Sequence, residues 1–378
     1  MEFFENYSLK NYNTFGVEAD TQTFFSFTNE DELIDFSENK INLEDNIFIL
    51  GGGSNVLFTK NFPGLILHSK IENIAEIKQD KQSIVLRVGS GLEWDKFVEY
   101  CVNKSYYGIE NLSLIPGNVG AAPVQNIGAY GTEVDEVISG VNTYDLRTKR
   151  KEYLTNEDCC FSYRNSIFKK SSHKNLIITS VDFKLYKTAP RKRKIDNYEG
   201  PVVYRYGKHY KKLIIDFFKA LLTLKINLKK RAVSVDYRLL KNLLENSGVI
   251  SLKKVRQTII NKRNSKIPNP KIIGNVGSFF KNPIIDIDKS NQIKEKHPNA
   301  VIYPLNETQV KISAGWLIKQ VTWSNKSEEN VGLYKDQTLI IVNKGNALGN
   351  EIYDYSECIV ESVSQKFKIK LEREVVVI

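Results

Sequence analysis

Apolar positions recur along this chain with two different periods, and the pattern switches between them many times. Short apolar runs of strand length occupy 24–27, 47–50, 65–68 and 83–88, and 177–185 alternates in the period-two manner of a half-buried strand. Helical spacing marks 31–37, 92–103, 252–263, 310–321 and 351–367. Ser251 stands where the helix 252–263 needs an N-cap, and lysines and arginines crowd that helix's far end, where they complement its dipole. The run 338–342 reads as a strand between the last two helices, and the β-branched tail 375–378 suggests a final strand returning to an earlier sheet. There is no internal repeat and no regular βαβ alternation. The pattern predicts an α+β protein with several small sheets.

Composition narrows the class. At 378 residues the chain suits two or three packed domains, and 41% hydrophobic content with 11% aromatics excludes wholesale disorder. The opening MEFFENYSLKNYNTFG has no basic stretch followed by an apolar one, and no run of about 18 apolar residues reads as a membrane span, so a cytoplasmic protein is expected. Cys101, Cys159, Cys160 and Cys358 lack metal-ligand spacing, and His68, His173, His209 and His297 are scattered, so no metal site is expected.

The net charge of +10 is local. From Lys187 to Arg231 fourteen cations face only Asp196, Glu199 and Asp216, a balance of +11, which leaves the rest of the chain at −1. A neutral body carrying one basic segment is not the profile of a general nucleic-acid binder. The segment 187–230, with its RKRK run and the aromatics Tyr204 and Tyr206, has two readings. One is a contact for RNA or an anionic membrane surface; the expected one is a solvated, partly helical insertion.

Two loops carry candidate chemistry. The strand ending at Leu50 runs into Gly51, Gly52, Gly53, Ser54 and Asn55. Three glycines permit an anion-binding nest of backbone N–H groups, but GGGSN lacks the spaced glycines of a Rossmann fingerprint and a strand follows it. The second loop, IPGNVGAAPVQNIGAYG from Ile115 to Gly131, is long, small and uncharged. It makes a poor core and a poor linker, so a ligand wall is the better explanation. A helix beginning near Asn118 would aim its N–H groups at a phosphate.

The motifs FILGGGSNVLF, ENLSLIPGNVGAAPVQNIGAYG, FSYRNSIFK, KIPNPKIIGNVGSFFKNP, AGWLIKQ and LEREV follow one another in an order that resembles the UDP-N-acetylenolpyruvoylglucosamine reductases across nearly the whole chain. The resemblance implies a three-domain flavoprotein. A two-subdomain FAD module of the PCMH/vanillyl-alcohol-oxidase type would comprise 1–70 (joined by 371–378) and 71–186, followed by the insertion 187–230, a tyrosine-loop region 231–265 and a substrate domain 266–370. It implies non-covalent FAD, NADPH as co-substrate and a UDP-linked enolpyruvyl sugar as substrate, with no obligatory protein partner.

The FAD contacts carried over are Gly51, Gly52, Gly53, Ser54, Asn55, Ile115, Gly117, Gly120, Ala121, Gly128 and Arg164. Arg164 is implied as a permanent cation for the flavin and the substrate carboxylate, because negative charge develops there. Ser278 is implied as proton donor to an enolate, an acceptor basic enough for a hydroxyl to serve. Glu374 is implied as the hydrogen-bonding acid beside the substrate carboxylate; period-two alternation places Glu372 on the same face. Tyr163, Tyr237, Lys266, Asn282, Tyr303 and Gln337 are implied as substrate contacts. The chain departs from the pattern at Ser324, where a basic residue is usual and Lys326 is the nearest substitute. A flavin-dependent sugar oxidase of the same fold and a binding protein acting through 187–230 are the competing readings.

Overall fold

The computed structural model describes residues 1–40, 46–188, 251–321, 328–335 and 337–378. Most of the basic segment, Tyr237 with its loop, Ser324 and Lys326 lie outside the described residues.

The N-terminal sheet has the strand order Glu2–Ser8, Asp20–Phe27, Phe62–Ser69, Ile47–Ile49. Its first pair is antiparallel and the other two are parallel. Phe24 and Phe25 point to opposite faces of one strand, yet both are fully buried. That is the burial expected of a strand covered on both sides. The helix Glu30–Asn39 covers part of one face; Asn29 caps it by accepting from the Glu32 N–H at 2.9 Å, and Glu30, Asp31 and Glu32 fill its first turn.

The second sheet is antiparallel, in the order Arg150–Thr155, Ile138–Asp145, Leu176–Tyr186, Ser83–Gly89, Ile74–Gln79. Helix Trp94–Asn103 packs on it through Trp94 and Phe97, which meet Phe183 with ring centroids 5.9 and 4.8 Å apart. The buried Trp94 indole N–H donates to the Leu112 carbonyl at 2.9 Å, so the loop leading to Ile115 is tied to this core.

The C-terminal part holds a three-stranded antiparallel sheet, ordered Ile284–Asp286, Gln309–Ile312, Ile302–Pro304. The hairpin Val331–Tyr334/Gln337–Asn343 and the helices Ile287–Lys296, Ala314–Gln320 and Gly349–Phe367 complete it. One apolar core joins this part to the N-terminal sheet, running from Phe15, Phe24 and Phe58 to Phe279, Ile312 and Ile352. Val376–Val377 closes the fold by pairing in parallel with Val56–Leu57.

The α+β class expected from patterning is what the chain adopts, with two differences in detail. The segment 310–321 is not one helix: Gln309–Ile312 is a strand, and the helix Ala314–Gln320 begins only after Ser313, whose hydroxyl accepts from the Trp316 N–H at 3.2 Å. Glu372 and Glu374 do not share a face. The final strand covers only Val376–Val377, so strict alternation does not reach back to them; the Glu372 side chain is 72% exposed and that of Glu374 only 14%.

Candidate active site

The two glycine-bearing loops meet edge to edge. A β-carbon on Gly52 would stand 2.6 Å from Asn118 Oδ1 and 3.0 Å from the Gly117 Cα, so only glycine lets the loops approach this closely. Gly53 has φ 60°, and a β-carbon there would stand 1.9 Å from the Tyr12 carbonyl oxygen. Gly51 faces the Ala121 methyl. The Ser54 hydroxyl donates to the Pro116 carbonyl at 3.0 Å, and the Asn55 amide donates to Gln125 Oε1 at 2.7 Å and to the Glu374 carbonyl at 3.1 Å. Ile115 packs on the core of the second sheet, and the Gly120 N–H donates to the Ser90 carbonyl at 2.9 Å.

The backbone N–H groups of Gly51, Gly52, Gly53 and Ser54 make no hydrogen bond to another described residue. A glycine turn edged by such donors fits the diphosphate of a dinucleotide. The expected helix near Asn118 is replaced by a single 3-10 turn, Val119–Ala121. The N–H groups of Val119, Gly120, Ala121 and Ala122 are already bonded to the carbonyls of Leu92, Ser90, Asn118 and Val119, so this turn offers no free helix terminus. It is the first loop that offers four successive unused donors, from Gly51 to Ser54.

Arg164, Glu374 and the Ser278 segment converge from three distant stretches. Tyr163 and Arg164 are the central residues of a turn closed by reciprocal backbone bonds between Ser162 and Asn165, at 3.0 and 3.1 Å. Arg164 is left-handed, with φ 54°. Its Nε meets Glu374 Oε1 at 2.9 Å, its Nη2 donates to the Gly128 carbonyl at 2.7 Å, and its Nη1 donates to the Asn126 carbonyl at 3.4 Å. Burial opposes the cation, but Glu374, then Tyr163 and Glu133, outweigh it and hold the guanidinium above its ordinary range.

The Glu374 N–H donates to the Phe279 carbonyl at 2.8 Å, and Phe280 pairs with Arg373. These bonds lay the segment carrying Ser278 alongside the C-terminal segment carrying Glu374. Gly277, at φ 72°, turns the chain into Ser278, which is exposed just before the buried Phe279 and Phe280.

Beside this cluster lies a cleft of about 230 Å³, whose lining includes Gly128, Glu133, Tyr163, Arg164, Arg263, Asn282, Tyr303 and Lys311. Lys311 Nζ sits 3.6 Å from the centre of the Tyr163 ring. Burial pulls Lys311 down to about 8, with Glu133 opposing and Arg164 assisting the shift. Glu133 is pushed up, first by burial and then by Asp135. Tyr303 is directly opposite Lys311 in the sheet, and Asn282 Oδ1 accepts from the Ala314 N–H at 3.0 Å.

Tyr163, Asn282 and Tyr303 thus share the cleft, whereas Lys266 and Gln337 do not line it. Lys266 follows helix Leu252–Asn264 and is exposed; Gln337 opens the strand whose Leu339 carbonyl accepts from the Phe279 N–H at 2.8 Å. Arg263, Glu133 and Lys311 are lining residues that sequence reasoning missed. Lys311 alone left a readable trace, a single charge between Val310 and Ile312 in a strand where it is 3% exposed. Among the described residues no cluster of His, Cys, Asp or Glu is placed to hold a metal, and no helix is long and apolar enough to cross a membrane.

Residues 22–147 match the family model of an FAD binding domain, and 268–378 match that of the UDP-N-acetylenolpyruvoylglucosamine reductase C-terminal domain. The chain is 38% identical over 376 residues to the UDP-N-acetylenolpyruvoylglucosamine reductase of Porphyromonas gingivalis, covering 99% of each. It is also 38% identical over 378 residues to that of Flavobacterium johnsoniae, covering 100% of each. Its fold matches the crystal structure of the Thermus caldophilus enzyme with a TM-score of 0.61 at 18% identity, over 100% of this chain and 98% of that one. The loops, the cluster and these full-length likenesses agree: the chain belongs to the UDP-N-acetylenolpyruvoylglucosamine reductase family.

Proposed function

We propose that this chain reduces the enolpyruvyl ether of UDP-N-acetylglucosamine to UDP-N-acetylmuramate, using FAD and NADPH. The observation that carries the reading is the Arg164–Glu374 pair, with a contact of 2.9 Å, set beside the segment of Ser278 and next to the cleft that Arg164 and Gly128 line. FAD, when bound, supplies the hydride chemistry between the two substrates. Gly51, Gly52, Gly53 and Ser54 would hold its diphosphate through their unused N–H groups, against the wall of Gly117, Gly120 and Ala121.

Arg164 supplies a cation that burial does not neutralise, fit to hold the substrate carboxylate as negative charge spreads onto it. Glu374, fixed through its own N–H and carbonyl, offers a carboxyl group to the other side of that carboxylate. Ser278 delivers the proton to carbon; its hydroxyl suffices because an enolate carbon is strongly basic. Tyr163, Asn282 and Tyr303, with Lys311 and Arg263, suit the anionic sugar nucleotide, while Lys266 and Gln337 need the substrate or a movement of chain to reach it. The product is a precursor of peptidoglycan, which places the work in the cytoplasm and ties it to cell shape and division.

Purified protein should be yellow, bleach anaerobically with NADPH, and regain its colour when the enolpyruvyl sugar nucleotide is added. Bleaching without recoloration would sink the substrate assignment. Rapid recoloration by oxygen alone would favour the oxidase reading instead.

A further inference from the structure

Lys169 belongs to neither the cleft lining nor the residues assigned above. It ends the 3-10 turn Ile167–Lys169, and its Nζ donates to the backbone carbonyl of Arg164 at 3.2 Å. Arg164 is left-handed at φ 54°, a conformation that a residue with a β-carbon adopts only when its surroundings impose it. Were residue 164 to relax, the turn closed by Ser162 and Asn165 would re-aim the guanidinium away from Glu374 and the Gly128 carbonyl.

The turn bearing Lys169 is itself anchored. The Ile167 N–H donates to the Cys159 carbonyl at 3.0 Å, and the Ser166 hydroxyl donates to the Val124 carbonyl at 2.7 Å. Burial, and then the neighbouring Lys281, disfavour a charged ammonium at this place, while Glu374 and Glu372 pull the other way. Among the described residues the amine's one hydrogen bond is the 3.2 Å bond to the carbonyl of this left-handed residue.

We propose that Lys169 is a positioning residue for the reduction, holding the Arg164 carbonyl so that the left-handed backbone keeps the guanidinium on Glu374 and Gly128. The proposal rests on the reading of Arg164 as the cation facing the substrate carboxylate.

Two variants and two measurements test it. In Lys169→Met, anaerobic stopped-flow should show flavin reduction by NADPH within about twofold of wild type and reoxidation by the enolpyruvyl substrate slowed about 30-fold. Lys169→Arg, which keeps a cationic donor, should return reoxidation to within about fivefold of wild type. A crystal structure of Lys169→Met should show residue 164 out of the left-handed region or its 2.9 Å contact with Glu374 lost. Wild-type reoxidation with Arg164 unmoved overturns the proposal. So does an equal slowing of both half-reactions that Lys169→Arg does not rescue, the mark of a merely structural role. Wild-type protein that bleaches and does not recolour would sink the parent reading, and the position of residue 164 in Lys169→Met would still decide the role of Lys169.

Discussion

Arg164 engages three oxygens at once, those of Glu374, Gly128 and Asn126, each through a different nitrogen of one planar fork, a spread that a single ammonium nitrogen cannot reproduce. Arg164→Lys keeps the charge and loses the geometry. Its kcat should fall about 100-fold or more while the flavin stays bound, read from turnover and from the visible spectrum of the same sample. Lys311 makes a different kind of prediction. Its amine lies near 8 instead of the ordinary lysine range, chiefly through burial, so the cleft loses a positive charge as pH rises through that value. The KM for the anionic sugar nucleotide should therefore rise from pH 7 to 9, by up to about tenfold, and Lys311→Met should show a raised and flatter profile. A KM profile unchanged by the substitution would remove Lys311 from the binding step. Lys311, Glu133 and Arg263 were illegible as a group because their nearness arises from pairing between segments far apart in sequence. Arg164, Ser278 and Glu374 were legible because each sits in a motif that a family resemblance identifies.

Helices and strands of ordinary length were readable from periodicity, as with Glu30–Asn39, Trp94–Asn103 and Leu176–Tyr186. The segment 310–321 was not, because a strand and a short helix abut there and their apolar positions merge into one helix-like pattern. Only Ser313, acting as an N-cap, marks the break. The glycine loop is an element whose shape depends on contact with another loop. Gly52→Ala must push Asn118 Oδ1 or the Gly117 backbone aside, so the variant should fold, by circular dichroism, and purify with about tenfold less FAD or none. Helix Leu252–Asn264 is tied in by charge: Arg256 grips Asp95 through bonds of 2.6 and 2.9 Å, and Asp95 also accepts from the Leu114 N–H at 2.5 Å. Arg256→Met leaves that half-buried carboxylate short of its cation and should cost roughly 2–3 kcal/mol in urea unfolding, with part recovered in Arg256→Met/Asp95→Asn.

At the scale of the molecule, the C-terminal segment 372–378 is the seam between the glycine loops and the part of the chain carrying Ser278. On one side the Glu374 N–H is bonded to Phe279; on the other, the Val376 N–H donates to the Asn55 carbonyl at 3.0 Å and the Ile378 N–H to the Leu57 carbonyl at 2.9 Å. The Ile378 carbonyl in turn accepts from the Thr59 N–H and hydroxyl, both at 2.7 Å. The β-branched tail announced a strand, but neither its partner nor the bend that separates Glu372 from Glu374 can be read without the tertiary pairing. Deleting 376–378 removes the bonds that Val376 and Ile378 make to Asn55, Leu57 and Thr59, and keeps Glu374 in the chain with the Asn55 amide still on its carbonyl. None of the three is among the buried residues of the apolar core shared by the N-terminal sheet and the C-terminal part; Val377 and Ile378 pack on it only partly buried, so the truncated protein should still fold. It would lose the strand pairing that anchors the chain just beyond the residue whose carboxyl group faces Arg164. NADPH should then bleach it at close to the normal rate, while reoxidation by the enolpyruvyl substrate falls at least about 30-fold. Equal loss of both half-reactions, or loss of FAD, would show instead that the seam holds the glycine loops in shape and not the carboxylate in place.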